Sequence, residues 1–262
     1  MNRLVLLVLV VGFSCSGKKN ETSIDNNLIP FTLVKTFPHD NTAFTQGLTI
    51  HEGKLYESTG QANSWIAEVA ITTGKQNKKV VLDKQYFGEG ITILNNKVYQ
   101  LTWQNKVGFI YNLHTFQKTG EFQYDHEGWG ITHNGKNLIV SDGTDKLHLL
   151  DTLTLKEVSV LNVTENGIKQ DQLNELEFIE GFIYANQWQT DFILKIDPAT
   201  GNVAGKMDVS SLATRIAQMS PQADVLNGIA YEQKSKTLLI TGKYWPAMFA
   251  VRLKDEEAKQ AP

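Results

Sequence analysis

The sequence predicts an all-β fold: a five-bladed β-propeller closed by its N-terminal strand, with a short excursion helix between blades four and five. Three observations predict it. Five segments repeat one pattern of strand, tight turn and strand. They recur at intervals of about 40 to 50 residues, the period of propeller blades. Each is followed by a further strand of period-two alternation and a polar turn, which makes about four strands per unit. A two-domain sandwich would leave the fivefold recurrence unexplained.

Taken in order, residues 1–14 begin with Arg3 and continue as an apolar run from Leu4 to Phe13. That run is too short to span a bilayer and has the form of a secretory signal. Cys15, the single cysteine of the chain, follows Ser14 directly. The arrangement resembles a bacterial lipoprotein signal, with Cys15 as the lipidated first residue of the mature protein; Gly12 and Phe13 depart from its usual residues, and ordinary cleavage with Cys15 idle is the alternative. The expectation is an exported, periplasmic protein that meets a membrane only through a lipid on Cys15. Residues 15–30 read as a flexible polar tether, 31–254 as one propeller domain and 255–262 as a C-terminal tail.

Within the propeller, the strand Phe31 to Phe37 has no neighbour in sequence, and the last unit ends early with Met248 to Leu253 as its third strand. Pairing the two closes the ring and removes its open edges. The repeats begin at Gln46-Gly-Leu-Thr-Ile50, Glu89-Gly-Ile-Thr-Ile93, Trp129-Gly-Ile-Thr132, Glu175-Leu-Glu-Phe178 and Asn227-Gly-Ile-Ala-Tyr231. Their turns, among them His51-Glu-Gly53, Asn95-Asn96 and Glu180-Gly181, tolerate hairpin geometry. Third strands follow at Ile66 to Ile71, Val107 to Tyr111, Leu147 to Leu150 and Phe192 to Ile196. Between the last two units, Ser210 to Met219 has helical apolar spacing and ends before Pro221.

Composition narrows the function. With 41% hydrophobic and 20% charged residues, the chain of 262 residues can build a large core. Lys and Arg total 25 against 28 Asp and Glu, so no positive excess exists to hold nucleic acid. One cysteine excludes a disulfide framework, a cysteine-rich zinc site and an iron–sulfur cluster. The histidines at 39, 51, 114, 126, 133 and 148 show no close pairing of the kind that presents two imidazoles to one ion. No catalytic metal is therefore expected. A structural ion near Ser141-Asp-Gly-Thr-Asp145 stays open beside the simpler reading of an Asp-Gly turn.

Ring geometry turns the repeats into a site. First strands of blades line the axis, so the residues that begin them converge at one mouth: Gln46, Glu89, Trp129, Asn174 or Glu175, and Asn227. Second strands return to the same mouth at Thr59, Trp103, Asp142, Trp188 and Lys243. Singly, each has a bland reading, as a core tryptophan, a solvated turn at Glu89 or a strand-end Lys243. Together they form a cavity with apolar walls and few polar groups, the composition of a small-ligand site.

The motifs Phe44-Thr-Gln-Gly-Leu48, Phe87-Gly-Glu-Gly-Ile-Thr92, Leu101-Thr-Trp103, Glu127-Gly-Trp-Gly130, Asn174-Glu-Leu-Glu177, Ala185-Asn-Gln-Trp188, Leu226-Asn-Gly228 and Thr241-Gly-Lys-Tyr-Trp-Pro246 resemble the plant and bacterial type of glutaminyl-peptide cyclotransferase. The resemblance runs from about Phe31 to Leu253. It implies a five-bladed propeller that converts N-terminal glutamine of peptides and proteins to pyroglutamate with loss of ammonia. It further implies Glu89 as the acid/base, Gln46, Asn174 and Lys243 as polar site residues, and Phe44, Phe87, Trp103, Trp129 and Trp188 as an aromatic wall. On chemical grounds Lys243 and Asn174 are candidates to bind the carboxamide oxygen as it turns negative. No cofactor is required, and a monomer is the expected form. The alternative is a non-catalytic, envelope-anchored propeller that binds a peptide or glycan in the same mouth.

Overall fold

The computed structural model describes residues 27–254. The expected signal segment 1–14, Cys15, residues 16–26 of the expected tether and the expected tail 255–262 lie outside the described residues. Five four-stranded antiparallel sheets form the blades. Blade one is Thr45–His51, Lys54–Thr59, Trp65–Ala70 and Lys75–Val81; blade two is Gly88–Leu94, Lys97–Thr102, Val107–Asn112 and Lys118–Gln123. Blade three is Ile131–His133, Asn137–Ser141, Lys146–Asp151 and Glu157–Asn162; blade four is Leu173–Ile179, Phe182–Gln187, Phe192–Ile196 and Val203–Asp208. Blade five is Leu226–Glu232, Thr237–Gly242 and Ala247–Leu253, completed by Phe31–Pro38.

The closing strand runs antiparallel to Ala247–Leu253, from Phe31 opposite Leu253 to Pro38 opposite Ala247. Just beyond it, buried His39 pins the clasp: its Nδ1 is 2.7 Å from the Trp245 carbonyl and its Nε2 3.1 Å from Glu57 Oε1. The excursion helix spans Ser210–Met219 as the spacing predicts and buries Leu212 and Ile216, one turn apart. Two features differ from expectation. A hairpin of Thr164–Glu165 and Ile168–Lys169 is added after blade three, too short to leave a periodic signal. Asn27–Pro30, assigned to the tether, already lie on the fold. Ile29 N–H donates to the Lys206 carbonyl at 2.8 Å, and Ile29 packs on the apolar cluster between blades four and five.

Packing explains the ring. Inner strands are buried on both faces, whereas the outer strand Lys75–Val81 alternates between exposed and half-buried residues. The apolar residues gather into five clusters, one at each seam between neighbouring blades. Ile66 with Ile91 and Val98 joins blades one and two, for example, and Leu239 with Leu48 and Ala67 joins five and one. A Leu or Ile buried at a seam, such as Ile91 or Leu48, contributes about 1.5–3 kcal/mol, and the neighbouring blade supplies part of the surface that buries it. Tight turns supply the reversals: Glu52 and Gly53 at φ 50 and 75, Asn95 and Asn96 at 52 and 59. Both pairs sit in the left-handed region that a type I′ hairpin needs.

Candidate active site

The top of the inner strands is irregular in the same way in every blade. Register slips in blades one, two, four and five place Gln46, Glu89-Gly90, Asn174-Glu175 and Asn227-Gly228 in β-bulges. In blade three, Trp129 N–H and the Gly130 carbonyl both bond Ser141, giving two residues against one. A bulge re-aims its extra side chain, which turns the five leading residues toward one mouth. Glycines beside them let the strands crowd around the axis. A Cβ on Gly90 would stand 2.7 Å from Ile131 N, and one on Gly130 would strike the Asn174 carbonyl. Blade four carries Glu175 where its neighbours carry glycine. That side chain lies along the axis instead, accepting N–H bonds from Leu48 at 3.1 Å and Ile229 at 2.9 Å. Asn174 is thus the equivalent of Glu89, and the choice between the two residues is resolved.

Glu89 is 3% exposed, so it is no solvated turn residue. Ser58 Oγ donates to its backbone carbonyl and fixes the bulge. Burial pushes its carboxyl well above the usual range; the Lys243 ammonium and a Gln46 hydrogen bond pull the other way without reversing it, and the Glu127 charge adds to the rise. Gln46 is itself oriented, because Asn227 Nδ2 donates to its Oε1 at 3.2 Å and to the Thr45 carbonyl at 3.0 Å. Glu89 Oε2 has no hydrogen-bond partner among the described residues, and neither has Asn174 Oδ1, although both are buried. Orphaned acceptors of this kind are costly in a folded chain and leave bonding capacity that a water or a ligand can fill.

Lys243 is equally buried, 5% exposed, with its Nζ 4.7 Å from the centroid of the Phe44 ring. Burial lowers its affinity for a proton, while Glu89 and Asp224 raise it. Around these groups the aromatic side chains form a continuous arc. Tyr244 meets Phe44 at 5.2 Å, Phe44 meets Phe87 at 6.0 Å, and Phe87 meets Trp103 at 5.7 Å between ring centroids. Trp129 meets Trp188 edge-on at 5.6 Å. Glu127 joins the two halves: its Oε2 accepts from Trp103 Nε1 at 2.7 Å and Trp129 Nε1 at 3.0 Å. Partial burial would raise the Glu127 carboxyl, but these indole bonds and one from Gln104 outweigh it, holding Glu127 below its ordinary value.

The structure therefore gathers Gln46, Glu89, Asn174, Lys243, Phe44, Phe87, Trp103, Trp129 and Trp188 at one end of the channel. It leaves Thr59 and Asp142 out. The Thr59 hydroxyl serves Trp65 N–H at 3.1 Å. Asp142 closes its own Asp-Gly turn through Thr144 and faces His148 Nε2 at 3.2 Å. Glu127 and Tyr244 were not singled out from sequence, although both stand inside the quoted motifs; acting through neighbours, they leave no signal in the repeat. A cavity of about 590 Å³ opens at the opposite end of the channel, lined by His51, His133, Glu177 and Tyr231 among others. None of the site residues borders it.

Known proteins resemble this chain in sequence and fold. A family model described as glutamine cyclotransferase matches residues 5–253. A glutaminyl-peptide cyclotransferase of Arabidopsis thaliana is 37% identical over 254 residues, covering 94% of this chain and 79% of its own length. The crystal structure of the Myxococcus xanthus glutaminyl cyclase superposes with a TM-score of 0.81 at 35% identity, over 86% of this chain and 98% of that one. A Bacteroides caccae protein of unknown function, 13% identical with a TM-score of 0.50 over 64% of this chain and 68% of its own, shares the fold alone.

Proposed function

The chain belongs to the glutamine cyclotransferase family, and from that premise we propose that Glu89 carries the proton while an N-terminal glutamine closes on itself. The enzyme is a glutaminyl-peptide cyclotransferase, acting on peptides and proteins that begin with glutamine. The substrate brings both nucleophile and electrophile, so neither an enzyme nucleophile nor a metal is needed for the bond changes. Its α-amine, with an ordinary pKa near 8, is partly neutral at neutral pH. The amine nitrogen attacks the γ-carboxamide carbon, closing a five-membered ring and placing negative charge on the oxygen. Glu89 takes the proton released by that nitrogen and delivers it to the departing amide nitrogen. The carbon–nitrogen bond breaks, ammonia leaves, and Glu89 is restored.

The surroundings suit each step. A carboxyl raised by burial lies nearer the amine in proton affinity, which is where exchange between the two is most efficient; such help is worth about 10²–10⁴-fold. Lys243 supplies positive charge for the oxygen in a water-poor site. Asn174, whose oxygen is the orphaned atom, accepts an N–H from one of the two substrate nitrogens. The aromatic arc holds the glutamine methylenes folded in the attack pose. Charge, apolar wall and acid meet in one place, but the observation that carries the reading is the buried Glu89 with a partnerless oxygen.

Ammonia release from a glutamine-initiated dipeptide tests it, with wild type and Glu89→Gln compared in the presence and absence of chelator. Wild-type turnover unchanged by chelator, and less than about a tenth of it left in the variant at unchanged fold, is the expected result. Retention above that level removes Glu89 from the role. The proposal extends to location: an exported chain held to the envelope by lipid on Cys15. Labelled fatty acid should enter the wild type and not Cys15→Ala.

A further inference from the structure

His126, in the turn that leaves blade two, and His148, on the third strand of blade three, lie face to face with ring centroids 3.6 Å apart and planes inclined by 15°. Glu157 opens the outer strand of blade three and sets its Oε2 2.7 Å from His148 Nδ1. One potential ligand atom from each of His126, His148 and Glu157 falls within 4.8 Å of the others. The three residues border a cavity of about 460 Å³, together with Tyr124, Leu155 and Lys156. We propose that this cluster is a binding site for one first-row divalent metal ion of the zinc type, on the rim between blades two and three and apart from the Glu89 chemistry.

Hydrogen bonding fixes the ligand atoms. His126 Nδ1 lies 2.6 Å from the Glu127 carbonyl. A carbonyl can only accept, so Nδ1 carries the ring hydrogen and Nε2 presents a bare lone pair. Among the described residues that Nε2 has no hydrogen-bond partner. His148 is held between two carboxylates, Asp142 Oδ2 at 3.2 Å from Nε2 and Glu157 Oε2 at 2.7 Å from Nδ1. A neutral imidazole has one N–H and can satisfy only one of them. With Nε2–H on Asp142, Nδ1 and Glu157 face each other as two acceptors unless a proton or a cation lies between.

A divalent ion fills that need. It binds His148 Nδ1, His126 Nε2 and a Glu157 oxygen, and the proton it replaces passes to solvent. Asp142 becomes the carboxylate behind a ligating histidine, the arrangement that orients imidazole in protein metal sites. Two nitrogens and one carboxylate oxygen suit zinc and its neighbours better than calcium or magnesium, which prefer all-oxygen sets. Near-parallel rings 3.6 Å apart cannot both aim an in-plane lone pair at one ion. Binding would therefore swing the His126 ring, which stands in a turn, out of the stack, and the Glu157 side chain, 45% exposed, can open its contact to the wider spacing of two ligands on one ion. Since His126 precedes Glu127, the ion would also stiffen the turn from which Glu127 holds Trp103 and Trp129.

Titration of the chelator-stripped full chain with zinc ion alone, followed by calorimetry and by thermal unfolding, tests the site. One saturable equivalent per chain and a raised Tm are expected. Affinity should fall at least about tenfold in His148→Gln and in His126→Gln, and about 10–100-fold in Asp142→Asn, which touches no ion. If His148→Gln fails to fold, His126→Gln, altered in a turn, carries the test. Absence of saturable binding to the wild type, or binding undiminished in His126→Gln, overturns the proposal. The readout is independent of turnover, so its failure leaves the Glu89 mechanism untouched.

Discussion

Two buried glutamates at the top of the channel have opposite fates. Glu89 and Glu175 are 3% and 1% exposed, and burial pushes both carboxyls well above their ordinary range. Glu175, in the position where the other blades have glycine, spends both oxygens on backbone N–H groups of blades one and five. Glu89, on the bulge itself, keeps one oxygen without a partner. The difference teaches that burial and a perturbed proton affinity do not by themselves make a reactive group. What separates a structural acid from a candidate catalyst here is unspent hydrogen-bonding capacity beside a cation and an apolar wall.

Exchanging the two carboxyls for amides should split activity from stability. Glu89→Gln is expected to lose about 10²–10⁴-fold in kcat with its Tm near that of wild type. Glu175→Gln should keep turnover within a few-fold but lose about 1–3 kcal/mol, because one buried N–H then faces an amide NH₂. Urea unfolding together with the ammonia assay measures both, and a catalytic collapse in Glu175→Gln at intact stability would erase the distinction. Lys243→Met removes the positive charge. We expect a loss of about 10²-fold in kcat, and a pH–rate profile in which the ionisation of Glu89 moves to higher pH, since the group that lowered it is gone.

Smaller effects sharpen the boundary of the site. Glu127→Gln replaces an acceptor shared by two indoles with an amide that can serve them less well, so KM for a glutamine dipeptide should rise about tenfold while kcat changes less. Glu177, at the far end of the channel, has its carboxyl raised by burial to about 8, opposed by an N–H bond from Tyr231. A carboxyl raised on folding stabilises the protonated native state, so its contribution is full below the unfolded value near 4.5 and fades as pH rises through about 8. Glu177→Gln should match wild type at about pH 5 and exceed its Tm by about 3 °C or more at about pH 9.

Much of this is legible in the sequence. Five repeats fix the blade number, and the residues that begin the inner strands name the mouth because a propeller places equivalent positions at equivalent heights. Blade four stayed ambiguous between Asn174 and Glu175, since an alignment of repeats cannot show which residue a bulge turns outward. Glu127 and Tyr244 escaped for another reason. Tyr244 reaches Phe44 from a backbone at φ 60, and Glu127 touches indoles from two blades; both contacts depend on loop paths that carry no period. The stack of His126 on His148 likewise crosses a seam between blades, where spacing along the chain says nothing.

The closing strand has a directional meaning. Phe31 starts beside Leu253, remote from the funnel, and the strand climbs to Pro38 beside Ala247, next to the turn that bears Lys243. A scaffold fastened to the segment before Phe31 would grip the molecule by its base and flank and leave the aromatic opening pointing outward, like a cup held from beneath. Peptide termini could then approach along the axis without passing the anchorage.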